Sequence, residues 1–546
     1  MIHTLKLKLN RRHFLLSTAA IAVARPAFAQ EAATPKTGGT LIYLERQPHT
    51  NLYPPAGGFY PNSGILNQIT DKLLWQNPET LELEPWLAES WEVNADATEF
   101  TFKLFDGITF SDGTPLDAAA VALNFDTFGL GNPEKRYPVS EVLANYVSSE
   151  VIDPLTVKFT FSQPSPGFLQ GTSVIGSGIV SPQTLDHPFD DLGDATKIIG
   201  SGPFVISGEV LGKEVDFTAR PDYNWAPASW GHTGAAYLDG IKMLIAPEDS
   251  VRIGALISGQ ADIIRQVQSY DEPQVEAVGA IIYAAPTNGV NNTLVFRPEN
   301  PLVADAKVRQ ALIHATNTQE IVDTIFSPNY PQATSILAKG AMGYVNLSDK
   351  LAYDPALAAQ LLDEAGWTLG SDGLREKDGV KLAVACYEAL AQPQSRAVLQ
   401  LIAQQWGAVG VTLQVLPMDS SSAALNVLDP ALAPVLNSMV GRADLDVMRS
   451  FFSPQARNNM LQVGGLGQGK SFVDETMNDL LESIATAADP AQRAALGAEA
   501  QNYVIDNGYV VPLFEEPQVF GAQAYVKGLA FDSVARPSFF NVWLDK

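Results

Sequence analysis

Residues 85–121 read "PWLAESWEVNADATEFTFKLFDGITFSDGTPLDAAAV", and their pattern decides how the chain is organised. Apolar and polar side chains alternate through this stretch, the period of a strand with one buried face. Asp106-Gly107 and Asp112-Gly113 punctuate the runs, and Asp-Gly pairs favour the tight turns of antiparallel hairpins. "DGITFSDGTP" has neither the spacing of a metal loop nor the lysine of a phosphate loop, so a turn accounts for it. "TVKFTF" at 156–161 repeats the hairpin signal.

Outward from this block the grammar changes. "GTLIYLE" at 39–45 reads as a strand buried on both faces. Further on, Asp305 is placed to cap a helix over "AKVRQALIHAT", and Asn317 to Glu320 make a capping box for the next. In "YDPALAAQLLDEAGW" Asp354 is the N-cap, Pro355 opens the first turn and Gly366 is the stop. Strands such as "VTLQVL" alternate with these helices. The expectation is a mixed α/β protein, and 546 residues exceed what one core organises, so at least two lobes are expected.

Composition narrows function. The chain is 46% hydrophobic and 17% charged, with a net charge of −25. Lys6, Lys8, Arg11, Arg12 and Arg25 are the only charges in the first 29 residues, so the remainder is more acidic still. Such a surface repels phosphate backbones and anionic lipid heads, which argues against nucleic acid and membrane surfaces as partners. The single cysteine, Cys386, cannot form an intramolecular disulfide or a cysteine-based metal cluster, and it reads as a buried thiol in a strand. His49, His187, His232 and His314 are scattered without metal-ligand spacing, so no metal and no cofactor are expected. The rival reading is a secreted hydrolase of unrecognised type, but neither a "GxSxG" elbow nor an "HExxH" helix occurs.

Residues 1–29 read as a cleavable export signal. A basic start precedes an apolar run from Phe14 to Ala24, too short to span a bilayer, and Ala27-Phe28-Ala29 is a small-x-small cleavage end. Arg11-Arg12 followed by His13, Phe14 and Leu15 resembles a twin-arginine signal, the alternative being the general secretory route. The expected location is periplasmic, with no lipid anchor because no cysteine lies near the cleavage point. Lysines at both positions 11 and 12 are expected to hold the precursor in the cytoplasm on fractionation. Unchanged export would identify the general route.

Five segments together resemble the family 5 solute-binding proteins of bacterial ABC importers: the 85–121 block, "IIGSGPFVI", "LDGIKMLIAPEDSVRIGALISGQADII", "DAKVRQALIHATNTQEIV" and "YDPALAAQLLDEAGW". The resemblance implies a two-lobed periplasmic-binding-protein clamp with an extra subdomain on lobe one. A loose segment, 30–37, would precede it. Lobe one would take 38–70, 195–290 and 510–546, the subdomain 71–194, and lobe two 291–509, with "GVNNTLVF" and "NGYVVPLFEE" as crossing strands. It further implies a monomeric receptor for a small-molecule or peptide-like solute, without catalysis, whose partners are an ABC permease and ATPase.

Candidate ligand groups follow from loops and hinges. Loops beyond strand ends present ligand groups in α/β proteins, so Glu45, Tyr60 and Asn62 in "LERQPHTNLYPPAGGFYPN" are expected contacts. Asn291 and Asn292, at the crossing, would hold either the ligand or neighbouring backbone. The resemblance places Arg396 near an arginine that holds a ligand carboxylate in dipeptide-binding relatives, the alternative being a surface arginine. "GRADLD" at 441–446 interrupts apolar sequence with three charges. In those relatives the corresponding stretch carries a tryptophan before the glycine and then an aspartate for the ligand's α-amino group. Here Met439 and Arg442 stand in those places, Asp444 and Asp446 remain, and the segment is one residue shorter. Arg442 then either faces an anionic or polyhydroxylated group, which disfavours simple dipeptides, or only neutralises Asp444 and Asp446, and Asp444 could take the missing acid's role.

Overall fold

The computed structural model describes residues 34–389, 392–419, 421–453 and 473–546. The export-signal reading of 1–29 lies outside them. Two mixed sheets carry the architecture. In the first, seven strands run in the order 281–286, 517–522, 263–265, 40–45, 240–245, 214–219, 204–210. Thr40–Glu45 lies parallel to both its neighbours, and antiparallel strands flank that trio. The second sheet has five strands, ordered 412–416, 383–387, 435–441, 289–296, 510–514.

Residues 88–104 of the hairpin block enter a third, wholly antiparallel sheet ordered 88–93, 99–104, 156–161, 146–153; its first hairpin turns at 94–98, and both Asp-Gly pairs fall outside it, Asp112-Gly113 closing only the Thr109–Pro115 bridge. Its buried face supplies Phe100, Phe102, Phe159 and Phe161, which pack on Phe168 and on the helix Ala118–Leu130. One continuous apolar core joins this sheet to the seven-stranded one.

The chain passes between the two mixed sheets twice. Ile281–Pro286 pairs in the first sheet and Gly289–Phe296 in the second, so Thr287 and Asn288 form one crossing. Val510–Phe514 pairs in the second sheet and Pro517–Ala522 in the first, so Glu515 and Glu516 form the other. The return therefore falls five residues beyond the expected boundary at 510, because "VVPLF" bonds to Gly289–Phe296 before it leaves. Both crossing peptides are two residues long, short enough to act as a hinge while each sheet stays rigid.

Local signals act as their chemistry dictates, with one exception. Asp305 accepts from Lys307 N and Asp354 from Ala356 N and Leu357 N, each closing a helix start. Gly366 ends the Pro355–Glu364 helix at φ +85°, a left-handed position that favours glycine. At Asn317 only half of the capping box forms. Its side chain accepts from Glu320 N, but Glu320 turns to Gln405, whose own carbonyl takes the Asn317 N–H. Cys386 is buried, and burial pushes its thiol up to about 12, an unreactive state. Among the described residues no helix is long and apolar enough to cross a membrane.

Candidate functional site

The "GRADLD" segment sits where the second sheet meets the crossings. Val435–Gly441 runs antiparallel to Gly289–Phe296, with Gly441 opposite Gly289. A side chain at Gly441 would put its Cβ 2.9 Å from Thr287 Cγ2, so glycine permits the close approach of strand end and crossing. Arg442 and Asp444 lie in the short link that follows, and Asp446 opens the helix Asp446–Phe452.

A residue 49 positions away organises them. Arg493, on the helix Pro490–Asp506, holds Asp444 with two hydrogen bonds of 2.9 and 2.6 Å and Asp446 with a third of 2.7 Å. Burial opposes ionisation of Asp444, but the Arg493 guanidinium outweighs it and holds the carboxyl below its ordinary range. Arg442 is left with two long contacts, 3.4 Å to Gln170 Oε1 and 3.4 Å to Asp446 Oδ2. Its side chain is only 9% exposed. A buried guanidinium so weakly engaged has hydrogen-bonding capacity to spare.

Arg442 lines a cavity of about 180 Å³ between two walls. Glu141, Asn145, Ser165 and Phe168 come from the unit built on the four-stranded sheet. Arg442, Asp446, Arg449, Ser450 and Ser453 come from the second-sheet side. Arg449 is paired with Glu482 at 2.9 Å, which leaves Arg442 as the less engaged of the two guanidiniums. The lining offers hydroxyls, an amide, the guanidiniums of Arg442 and Arg449 and the carboxylates of Glu141 and Asp446, with Phe168 as its aromatic side chain. Behind Arg442 a buried relay runs inward: Gln170 donates to Gln76, which also accepts from Ser533 Oγ, and Asn288 of the first crossing donates to Ser533 O.

The other expected residues are placed differently. Glu45 is buried and consumed by Arg265, which chelates its carboxylate at 2.7–2.9 Å while Tyr43 donates a further bond. Asn62 braces its own loop, accepting from Thr50 N and donating to Ala56 O. Tyr60 reaches the crossing region instead: its hydroxyl donates to Val534 O and lies 3.3 Å from Thr287 Oγ1, while Arg265 and Arg536 each lie 5.6 Å from the ring centre. Arg396 is 56% exposed and paired with Glu388, the surface alternative. Asn291 and Asn292 sit at a bulge that shifts register against both neighbouring strands, which re-aims their side chains. Asn291 donates to Ser335 O, and Asn292 bridges Glu516 and Asn437. The structure thus joins Arg442, Asp444 and Asp446 in one cluster and leaves the other six outside its cavity. Gln170, Arg493 and Glu516 were missed. Nothing in local spacing marks them, since each acts through a partner remote in sequence. Among the described residues no group of three or more His, Cys, Asp or Glu could hold a metal.

Known proteins share this arrangement. The glutathione-binding protein GsiB of Escherichia coli (strain K12) is 24% identical over 473 residues, 84% of this chain and 86% of that protein. NikA from Brucella suis, solved in complex with Fe(III)-EDTA, superposes with a TM-score of 0.77 at 24% identity, over 93% of this chain and all of that one. DppA from Helicobacter pylori, in complex with the peptide STSA, gives 0.75 at 20% identity, over 94% and 99% of the two chains. Such likeness identifies the two mixed sheets and their double crossing as the two-lobed clamp of periplasmic binding proteins. The profile of the bacterial extracellular solute-binding proteins, family 5 Middle, matches residues 82–459, and the chain accordingly belongs to family 5, the substrate-binding proteins of ABC importers.

Proposed function

We propose that this protein is a periplasmic receptor that closes its two lobes over a solute bearing an anionic group, which faces Arg442, and passes it to a membrane permease and ATPase. It acts by binding, without catalysis, and as a monomer. The lobes swing about Thr287-Asn288 and Glu515-Glu516, and ligand contacts to both walls of the cavity favour the closed state. One observation carries the ligand class: Arg493 answers Asp444 and Asp446, so Arg442 is buried at a cavity wall with only 3.4 Å contacts. A guanidinium so placed suits a carboxylate or phosphate and repels an ammonium group, which disfavours ordinary dipeptides as the main solute. The serine hydroxyls and Asn145 suit a hydroxylated body. Glutathione, named for the GsiB relatives, carries two carboxylates, either of which suits Arg442, and one free α-ammonium, which must lie away from it.

A thermal-shift screen over sugar acids, dicarboxylic acids, γ-glutamyl peptides and free dipeptides identifies the class, since a ligand at a hundredfold saturation adds about 2.7 kcal/mol. With the identified ligand, Arg442→Ala is expected to weaken binding about tenfold to a hundredfold by calorimetry. Unaltered affinity, or tight binding of free dipeptides to the native protein, overturns the reading. Turnover of an ester, peptide or glycoside panel that a cavity mutation abolishes would favour the hydrolase instead.

A further inference from the structure

A short helix of the first lobe approaches Arg442 from behind. Phe168–Gly171 sets Phe168 in the cavity lining and Gln170 at the back of Arg442, buried at 4% exposure. The Gln170 amide meets a partner at each end. Its Nε2 donates to Gln76 Oε1 of the first lobe at 3.2 Å, and its Oε1 faces Arg442 Nε of the second lobe at 3.4 Å. Gln170 stands outside the lining, so its influence on a solute passes through Arg442.

Gln76 dictates which end of that amide faces which partner. Its own Nε2 donates to Leu81 O at 3.3 Å, which turns its carbonyl toward Gln170, and the same carbonyl accepts from Ser533 Oγ at 2.8 Å. Reversing the Gln170 amide would set carbonyl against carbonyl at Gln76 and N–H against guanidinium at Arg442. Position 170 therefore requires a donor on one side and an acceptor on the other, and unmet polar groups are costly at this depth. A carboxylate at 170 fails the first requirement, having no proton for Gln76. It also differs in charge: at the 3.4 Å separation it would pair with the guanidinium, as the amide does not.

The acids near Arg442 on its own lobe are answered by other cations. Arg493 takes Asp444 and one oxygen of Asp446, whose second oxygen lies 3.4 Å from Arg442, and Arg449 takes Glu482. Glu141 belongs to the facing wall of the cavity. We propose that Gln170 sets the charge selectivity of the cavity from behind: as a neutral acceptor it leaves the Arg442 charge for the solute, and Gln76 enforces that neutrality with a carbonyl that only a donor can meet. The role is that of a positioning residue, since Gln170 acts through Arg442. It rests on the reading that Arg442 faces an anionic group of the solute.

Calorimetric titration with glutarate and its uncharged diamide, glutaramide, is the test. The native protein is expected to prefer glutarate about tenfold or more, and Arg442→Ala to lose that preference. Gln170→Glu is expected to bring the ratio within about threefold, because the new carboxylate consumes the guanidinium. Gln170→Leu, uncharged like the native residue, keeps the preference while binding both probes more weakly. Should Gln170→Glu fail to fold, the pair Gln76→Leu and Gln170→Glu removes the opposing carbonyl and carries the same charge, with the same loss of preference expected. In thermal denaturation Gln76→Leu is expected to cost less beside Gln170→Glu than in the native chain; an equal cost overturns the part given to Gln76. A glutamate variant that keeps the native ratio overturns the proposal, as does a leucine variant that loses it, since packing would then be at work. A native preference that survives Arg442→Ala overturns the reading of Arg442 itself, and a native protein without the preference overturns both.

Discussion

Replacing Arg493 with methionine is expected to cost about 3–5 kcal/mol, an apparent melting midpoint lower by roughly 10 °C for the lobe that carries it. The substitution keeps volume and removes four hydrogen bonds from the guanidinium, two to Asp444, one to Asp446 and one to the Ile484 carbonyl. Asp444 is then a charge at 3% side-chain exposure, with Arg442 reaching only its neighbour Asp446. The sign of the pH dependence follows. Asp444 titrates below its ordinary range in the folded protein, so its contribution is present above that range and is lost as pH falls through the lowered value. The gap between native and variant is widest near neutrality and closes in acid. Adding Asp444→Asn to the variant restores part of the loss, because no charge is then stranded. A gap that is constant across this pH range would mean that Arg493 acts by packing alone.

The same residue shows which parts of the molecule can be read from sequence and which cannot. The Asp112-Gly113 turn, the Asp305 and Asp354 caps and the Gly366 stop are local, set by bonds and conformations within a few residues, so their signals survive any tertiary context. The half-formed box at Asn317 marks the limit: Gln405, on the helix Ser395–Ala408, offers both partners a better bond. Sheet membership is also nonlocal. "VVPLF" is recognisably a strand, yet only its register against Gly289–Phe296 shows that it still belongs to the second sheet. Charge pairing is least legible. Glu45 closes a strand, where a ligand residue can sit, and Arg265 from an adjacent strand consumes it. Arg442 stands out in sequence as a basic residue where the resemblance to dipeptide-binding relatives leads one to expect an aspartate, but whether it is engaged depends on Arg493, which sequence spacing leaves unconnected.

Gly167→Ala is expected to weaken ligand binding about fivefold to a hundredfold while leaving the melting midpoint of the ligand-free protein unchanged or slightly raised. Gly167 precedes the short helix Phe168–Gly171 at φ −69°, a conformation that alanine adopts freely, so no backbone strain follows. The obstacle lies across the interface between the walls. A Cβ at this position would stand 2.0 Å from Asp446 Oδ2 and 2.8 Å from its Cγ. Asp446 cannot swing aside without releasing Arg493, which holds its other oxygen at 2.7 Å. The added methyl therefore opposes the arrangement in which the two walls meet and spares each wall by itself. Scattering separates these effects: a saturating tight ligand is expected to reduce the native radius of gyration, and the alanine variant is expected to show less reduction at the same ligand concentration. If the variant binds and compacts like the native protein, Asp446 yields to the methyl, and the Gly167 contact does not limit closure. If its melting midpoint falls instead, the clash is felt within the ligand-free fold, and the walls already meet before any solute arrives.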